Sequence, residues 1–149
     1  MCRRLAAESA YLQVDDRELR RGGISYTLHT LQELATELGA NRPLYFLIGA
    51  DSLRDLHQWY HLKELLQCAT FVTVARADAE IDACWPALVE RVGEAATQVV
   101  RNHVLQAPPR TVSSTDLRQR LATGESVEGQ LPATVIDWIQ QRKLYRNAD

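Results

Sequence analysis

The sequence predicts an α/β fold built on a mostly parallel sheet. Three observations carry this. Residues 44–48 (Leu-Tyr-Phe-Leu-Ile) and 70–75 (Thr-Phe-Val-Thr-Val-Ala) are near-continuous apolar runs, the pattern of parallel strands buried on both faces. Each is followed by a segment with helical apolar spacing. Strand-like and helix-like segments then alternate along the chain, with no internal repeat and no low-complexity tract.

Taken in order, residues 11–14 read as a short strand. Residues 25–38 place Leu28, Leu31, Leu34, Ala35 and Leu38 on one face, an amphipathic helix with Ser25 as its N-cap and Gly39 as its stop. The strand at 44–48 ends at Gly49. Residues 62–68 read as a helix and 70–75 as a strand. Residues 83–96 read as one helix with Pro86 in its first turn, where a missing N–H costs nothing. Residues 103–106 form a last strand before Pro108-Pro109. A helix starts near Ser113, with Leu117 and Leu121 as its apolar stripe. Pro132 opens a final helix that sets Val135, Trp138, Ile139 and Arg142 on one side.

A length of 149 residues is expected to form one domain, 1–149, with a moderate core. Hydrophobic content of 46% and charged content of 24% fit an ordinary globular protein. A net charge of −2 gives no general attraction to nucleic acid or to an anionic membrane, so neither is expected as a partner. Arg17, Arg20 and Arg21 form a local basic spot that could contact an anion. Cys2, Cys68 and Cys84 show no Cys-x-x-Cys spacing and read as reduced thiols rather than a zinc site. No apolar run is long enough to span a bilayer and no signal-peptide core precedes the fold, so the expected location is cytoplasmic. Homo-oligomerisation stays open.

Four places carry candidate chemistry. Val112-Ser113-Ser114-Thr115-Asp116-Leu117-Arg118 sets three hydroxyls and a guanidinium at a helix start, where free N–H groups and the macrodipole favour an anion. The same residues also suit a plain capped helix, since Ser113 precedes Asp116 by three positions. Asp51, just past Gly49, can accept hydrogen bonds from a ribose hydroxyl pair or cap the following helix. Trp59 can stack on a cationic ring or pack as core. His57 and His61 are four apart, but no third ligand stands at a telling distance, and a metal site is not expected.

Three segments, in order, resemble bacterial nicotinate-nucleotide adenylyltransferases. Gly22-Gly23-Ile24-Ser25-Tyr26-Thr27-Leu28-His29-Thr30-Leu31 is similar to that family's Gly-Gly-x-Ser-Tyr-Thr-x-x-Thr-Leu. Ile48-Gly49-Ala50-Asp51 followed by Trp59-Tyr60 resembles its strand end and aromatic pair. Val112 to Arg118 resembles its Ile-Ser-Ser-Thr-x-Ile-Arg phosphate motif, with Arg110-Thr111 a weaker match just before it. The resemblance runs from about Val14 to Tyr145. It implies a Rossmann-like parallel sheet with flanking helices, and adenylyl transfer from ATP, with Mg²⁺ bound to it, to nicotinate mononucleotide, giving deamido-NAD and pyrophosphate in NAD synthesis. It implies ATP binding by Gly49, Asp51, Ser113, Ser114, Thr115 and Arg118, with Arg118 stabilising transition-state charge as the catalytic group. It implies substrate binding by Tyr26, Thr27, Trp59 and Tyr60.

The sequence departs from the family at one point. The family opens on a glycine-rich loop ending in His-x-Gly-His, and His29, His57, His61 and His103 make no such pattern. The first strand, loop and helix of the family are therefore expected to be absent. Two further readings stay open: a nucleotidyltransferase with a phosphopantetheine, sugar-phosphate or glycerol-phosphate acceptor, and a non-catalytic remnant that keeps a nucleotide pocket.

Overall fold

The computed structural model describes residues 1–39, 41–76, 81–108 and 112–145. Along the chain come α1 (Cys2–Ala6), α2 (Arg17–Arg21), α3 (Thr27–Leu38), β1 (Tyr45–Gly49), α4 (Ala50–Asp55), a 3₁₀ turn at Leu56–Gln58, α5 (Leu62–Cys68) and β2 (Thr70–Arg76). A second 3₁₀ turn at Asp82–Cys84 leads into α6 (Trp85–Val92), α7 (Glu94–Asn102), β3 (Val104–Ala107), α8 (Ser114–Thr123) and α9 (Ala133–Gln141). They form two compact units, Arg17–Pro109, and Met1–Asp16 with Arg110–Asp149. The expected Arg110-Thr111 match and Pro109 lie outside the described residues.

In the unit Arg17–Pro109 the three strands run parallel in the order β1-β2-β3, the Rossmann-like arrangement expected. Tyr45 pairs with Thr70 and Leu47 with Val72; Thr73 pairs with Val104 and Val74 with Leu105. Alternation along the strands sends Phe46, Ile48, Phe71 and Val104 toward the helices. There they meet Leu53, Leu56, Leu62, Leu65, Leu88 and Val100, which with Phe71 are at most 2% exposed. Each such side chain contributes about 1.5–3 kcal/mol on leaving water. This seam holds the unit together.

The run at 44–48 reads as buried on both faces, yet Tyr45 and Leu47 are exposed. The cause is topological, because the helices of this unit pack on the other face of the sheet. Helix α3 buries Leu28 and Leu31 against α5 and ends on Gly39, whose φ of +82 suits glycine. Its N-cap is Tyr26, not Ser25, and it makes no side-chain cap. Ser25 is instead drawn to Arg21.

The single helix expected over 83–96 is two. Pro86 sits in the first turn of α6 as expected, but the chain breaks at Gly93 (φ 90, ψ 163) and restarts as α7. That conformation belongs almost solely to glycine. The break turns Thr97 inward, where its hydroxyl donates to the Gly93 carbonyl at 2.9 Å.

In the unit Met1–Asp16 with Arg110–Asp149, α1 packs on α9 and Thr134 donates to Glu8 across that contact. Val127, Val135 and Ile139 are buried, and Arg142 lies 5.5 Å over the Trp138 ring. Residues 11–14 form no strand. Tyr11 is 97% exposed, and among the described residues of this unit no strand lies beside it to satisfy an extended backbone.

Gly93→Ala should cost about 1–3 kcal/mol in a denaturant melt, the strain of a non-glycine residue in that backbone region. A Cβ there meets no atom within 4 Å, so sterics add nothing. Unchanged stability would show that the α6–α7 break does not demand glycine.

Candidate functional site

Gly49 ends β1 and caps α4 with an extended backbone (φ −84, ψ 167). This is the carboxyl end of a parallel strand, where ligands of such sheets bind. Asp51 was a candidate cap but stands in the first turn of α4, so its carboxylate is not spent on the helix end. Its side chain is 90% exposed and pairs with Arg54 at 3.8 Å.

Thr27 at the start of α3 and Trp59 just after the first 3₁₀ helix lie 32 positions apart, yet packing of α3 on α5 brings both to one cavity. It has a volume of about 270 Å³ and is lined by Tyr26, Thr27, Trp59 and Tyr60, with Ser25 and Gln58 beside them. All four residues expected to bind the substrate therefore share one site. The Tyr26 and Tyr60 rings stack at 4.1 Å and 23°, and His29 meets both edge-on. That spacing leaves no room for a third ring between the tyrosines. Trp59 is half-buried and meets Phe46 and Phe71 edge-on, each at 6.2 Å. Trp59 is thus both core and cavity wall.

The loop before Tyr26 is held from below. Gly22 and Gly23 both have positive φ, +68 and +65, which turn the chain between α2 and α3. Arg21 pairs with Glu33 at 2.8 Å and donates to the hydroxyls of Ser25 and Thr30 at 3.4 Å. Thr30 donates to Glu18 at 2.6 Å. Arg17 pairs with Glu37 at 2.8 Å and lies near Glu33. The Arg21 guanidinium bonded to Glu33 holds its carboxyl below the ordinary value. The link is therefore present at neutral pH and lost as pH falls through that lowered pKa. Arg17 and Arg21, candidates for an external anion, are committed to carboxylates. The spacing carried the signal: Arg17 and Arg21 are one turn apart on α2, and Glu33 and Glu37 one turn apart on α3.

In the other unit Ser113 caps α8, its Oγ accepting from the Asp116 amide at 3.0 Å. The Ser113 hydroxyl hydrogen stays available as a donor. Ser114, Thr115 and Arg118 are exposed, and Arg118 makes no hydrogen bond or ion pair among the described residues. The arrangement is a free helix start of the kind that takes a phosphate, with a forked donor one turn on.

The histidines do not share a helix face. His57 lies in the 3₁₀ turn with Nδ1 on the Arg54 carbonyl, whereas His61 is left-handed (φ 47) with Nδ1 on Glu64. No three metal-ligating side chains stand together among the described residues.

With this geometry in view, comparison with known proteins is informative. A model of the cytidylyltransferase-like family matches residues 1–120. A probable nicotinate-nucleotide adenylyltransferase of Rhodopirellula baltica is 38% identical over 136 residues, covering 91% of this chain and 62% of the relative. Proteins with the same description from Chromobacterium violaceum (35% identical, 94% of this chain and 69% of the relative) and Roseiflexus sp. (37%, 98% and 70%) are similar. The chain thus spans about 60 to 70% of the length of such relatives. Among solved structures, the Plasmodium falciparum nicotinic acid mononucleotide adenylyltransferase complexed with APC superposes with a TM-score of 0.55 at 19% identity, covering 83% of this chain and 60% of that one. At that identity it supports the fold alone.

Two substitutions on α8 should separate cap from free cation. Ser113→Ala should lower the stability of its unit by about 0.5–2 kcal/mol, the usual loss of a cap. Arg118→Ala should stay within about 0.5 kcal/mol, as at an unpartnered surface position. Urea melts of both variants check this, and a large loss for Arg118→Ala would show that the guanidinium holds the fold.

Proposed function

Because the chain belongs to the cytidylyltransferase-like family, within the nicotinate-nucleotide adenylyltransferases, we propose that it serves adenylyl transfer from ATP to nicotinate mononucleotide. A phosphate oxygen of the mononucleotide attacks the α-phosphorus of ATP. The bond from that phosphorus to the bridging oxygen of the β-phosphate breaks, and pyrophosphate leaves with deamido-NAD as the other product. Such a reaction asks the protein for alignment of two polyanions and for compensation of charge on the leaving group.

The observation that carries this reading is the cavity at the start of α3, where Tyr26, Thr27, Trp59 and Tyr60 converge. Its aromatic wall suits a planar cationic ring. The amides of Tyr26 and Thr27 at the helix start suit the ring's carboxylate. Asp51 accepts from ribose hydroxyls of ATP, and Gly49 leaves its backbone open to close approach. Ser113, Ser114 and Thr115 offer hydroxyls and amides to phosphate oxygens. Arg118 offers a forked pair that offsets charge as pyrophosphate departs. Mg²⁺ enters this reading on the phosphates of ATP. The described residues supply no cage of three side chains for it. A cytoplasmic location goes with this reading, and among the described residues no helix is long and apolar enough to cross a membrane.

One feature of the 149 residues as they stand bears on rate. The sequence contains no His-x-Gly-His, whose donors the family resemblance assigns to the ATP phosphates. Loss of one such donor costs about a hundred- to a thousand-fold in rate. The 149 residues alone should therefore stay far below about 1 per second in a coupled assay for the dinucleotide. Ordinary turnover would contradict this.

Binding is tested apart from turnover. Nicotinate mononucleotide should quench Trp59 emission, because a pyridinium ring stacks on or beside the indole. Trp85 is buried and bonded to Asp82, and Trp138 packs under Arg142, so both should respond little. A Trp59→Phe variant should lose most of the quench; full retention would remove Trp59 from the ring site.

A further inference from the structure

A second cavity lies in the unit Arg17–Pro109, apart from the aromatic one. It has a volume of about 300 Å³ and is lined by Leu66, Phe71, Val92, Ala96, Val99 and Val100, from α5, β2, α6 and α7. Its floor reaches the core, since Phe71 and Val100 are each 2% exposed. Its rim meets water at Val99, which is 54% exposed. The break at Gly93 falls beside it, between Val92 and Ala96. Ala69 and Ala96 in its wall are small and leave space that a longer side chain would fill. Clefts of about 300–1,000 Å³ with mostly apolar walls and a few polar groups are the usual seats of small molecules.

Charge says what such a molecule carries. An adjoining cavity of about 330 Å³ is lined by His61, Leu62, Lys63, Glu64 and Arg91. Lys63 belongs to both cavities, and Arg91 of one directly precedes Val92 of the other. Together they make one groove along α5 and the end of α6, apolar at one end and charged at the other. His61 Nδ1 and Glu64 Oε1 lie 2.8 Å apart, so these two groups are spent on each other. Lys63 and Arg91 make no hydrogen bond or ion pair among the described residues. An ammonium and a guanidinium without a protein acceptor, beside an apolar cavity, suit an anion carried on an apolar body. Glu64 offsets one of the two positive charges, so a singly charged head fits better than a doubly charged phosphate ester.

We propose that this groove is a binding site for a medium-chain fatty carboxylate. The hydrocarbon chain lies against Phe71, Val92, Ala96 and Val99, and the carboxylate meets Lys63 and Arg91. Leaving water drives the chain into the cavity, and the two cations fix which end stays at the mouth. The site is distinct from the aromatic cavity, because α5 stands between them, with Leu65 in one wall and Leu66 in the other. The site goes beyond adenylyl transfer and does not depend on which nucleotides bind.

The test titrates the full 149-residue chain with octanoate, with no nucleotide present, by calorimetry and by methyl NMR. Octanoate should bind one-to-one with a dissociation constant below about 1 mM. Methyl shifts should fall on Leu66, Val92, Val99 and Val100 and leave the amides of Tyr26 and Thr27 unmoved. Octylamine has the same chain and the opposite charge, and should bind about tenfold or more weaker. Joint Lys63→Met and Arg91→Met substitution keeps an apolar stem at each position. It should weaken octanoate by about tenfold or more and leave octylamine no weaker. Val99→Asp, at a solvated rim position, should abolish octanoate binding while the chain keeps its melting temperature. Should Val99→Asp unfold the chain, the double methionine variant decides. Binding that does not saturate, equal affinity for octanoate and octylamine, or an octanoate affinity indifferent to the substitutions would each overturn the proposal. So would shifts gathered at Tyr26 and Thr27. Nicotinate mononucleotide titrated in the same way reads the aromatic cavity, so failure at one site is distinguishable from failure at the other.

Discussion

Burial of Phe71 at the centre of β2 is the interaction on which the rest depends. Its ring lies 5.2 Å from Phe46 and 6.2 Å from Trp59. The side chain is 2% exposed, within the cluster formed by Leu53, Leu56, Leu62 and Leu65. A phenylalanine truncated in such a setting costs about 3–5 kcal/mol, a large share of a small domain's stability. The same contact fixes the edge of Trp59, and Trp59 is a wall of the aromatic cavity. Core packing and site geometry are here one structure, so a change that loosens one loosens the other.

A second constraint sets the opposite wall. The short helix α2 has no buried residue, and the Arg17 and Arg21 pairs with Glu33 and Glu37 tie it to α3. The carboxylate ends of these pairs are open to water, and such pairs contribute little to stability, typically under about 1 kcal/mol. Their consequence is positional. They brace the Gly22-Gly23 turn through Ser25 and Thr30, and that turn delivers Tyr26 and Thr27 to the cavity with their amides at a helix start. The side chains that line the cavity and the side chains that place them are therefore different sets, and only the first stands out by residue type.

Much of the fold was legible because apolar spacing is dictated by the backbone period. The helices at α3, α5, α8 and α9 and the strands β1, β2 and β3 all fall where that spacing puts them. What escaped depends on partners far along the chain. Residues 11–14 look strand-like, but a strand needs a neighbour to take its hydrogen bonds. Gly93 splits α6 from α7 because one glycine φ, invisible to a hydrophobic count, overrides a continuous pattern. Ser25 looked like a cap, yet Arg21 competes for its hydroxyl. Ser113 was readable as a cap since its partner, Asp116, is local. Of the candidate site, Tyr26 and Trp59 could be joined only by resemblance, because their meeting is set by α3 packing on α5. The exposure of Tyr45 and Leu47 was unreadable for the same reason: composition cannot say which face of a sheet is covered.

The central claim is that the aromatic cavity at the start of α3 takes the pyridine nucleotide. The most direct measurement is a ¹⁵N–¹H titration of the chain with nicotinate mononucleotide. The account predicts saturable shifts concentrated at the amides of Tyr26 and Thr27 and at the Trp59 indole N–H, with Trp85 and Trp138 indoles unmoved. Saturable shifts that leave Tyr26, Thr27 and Trp59 unmoved and appear elsewhere would contradict it.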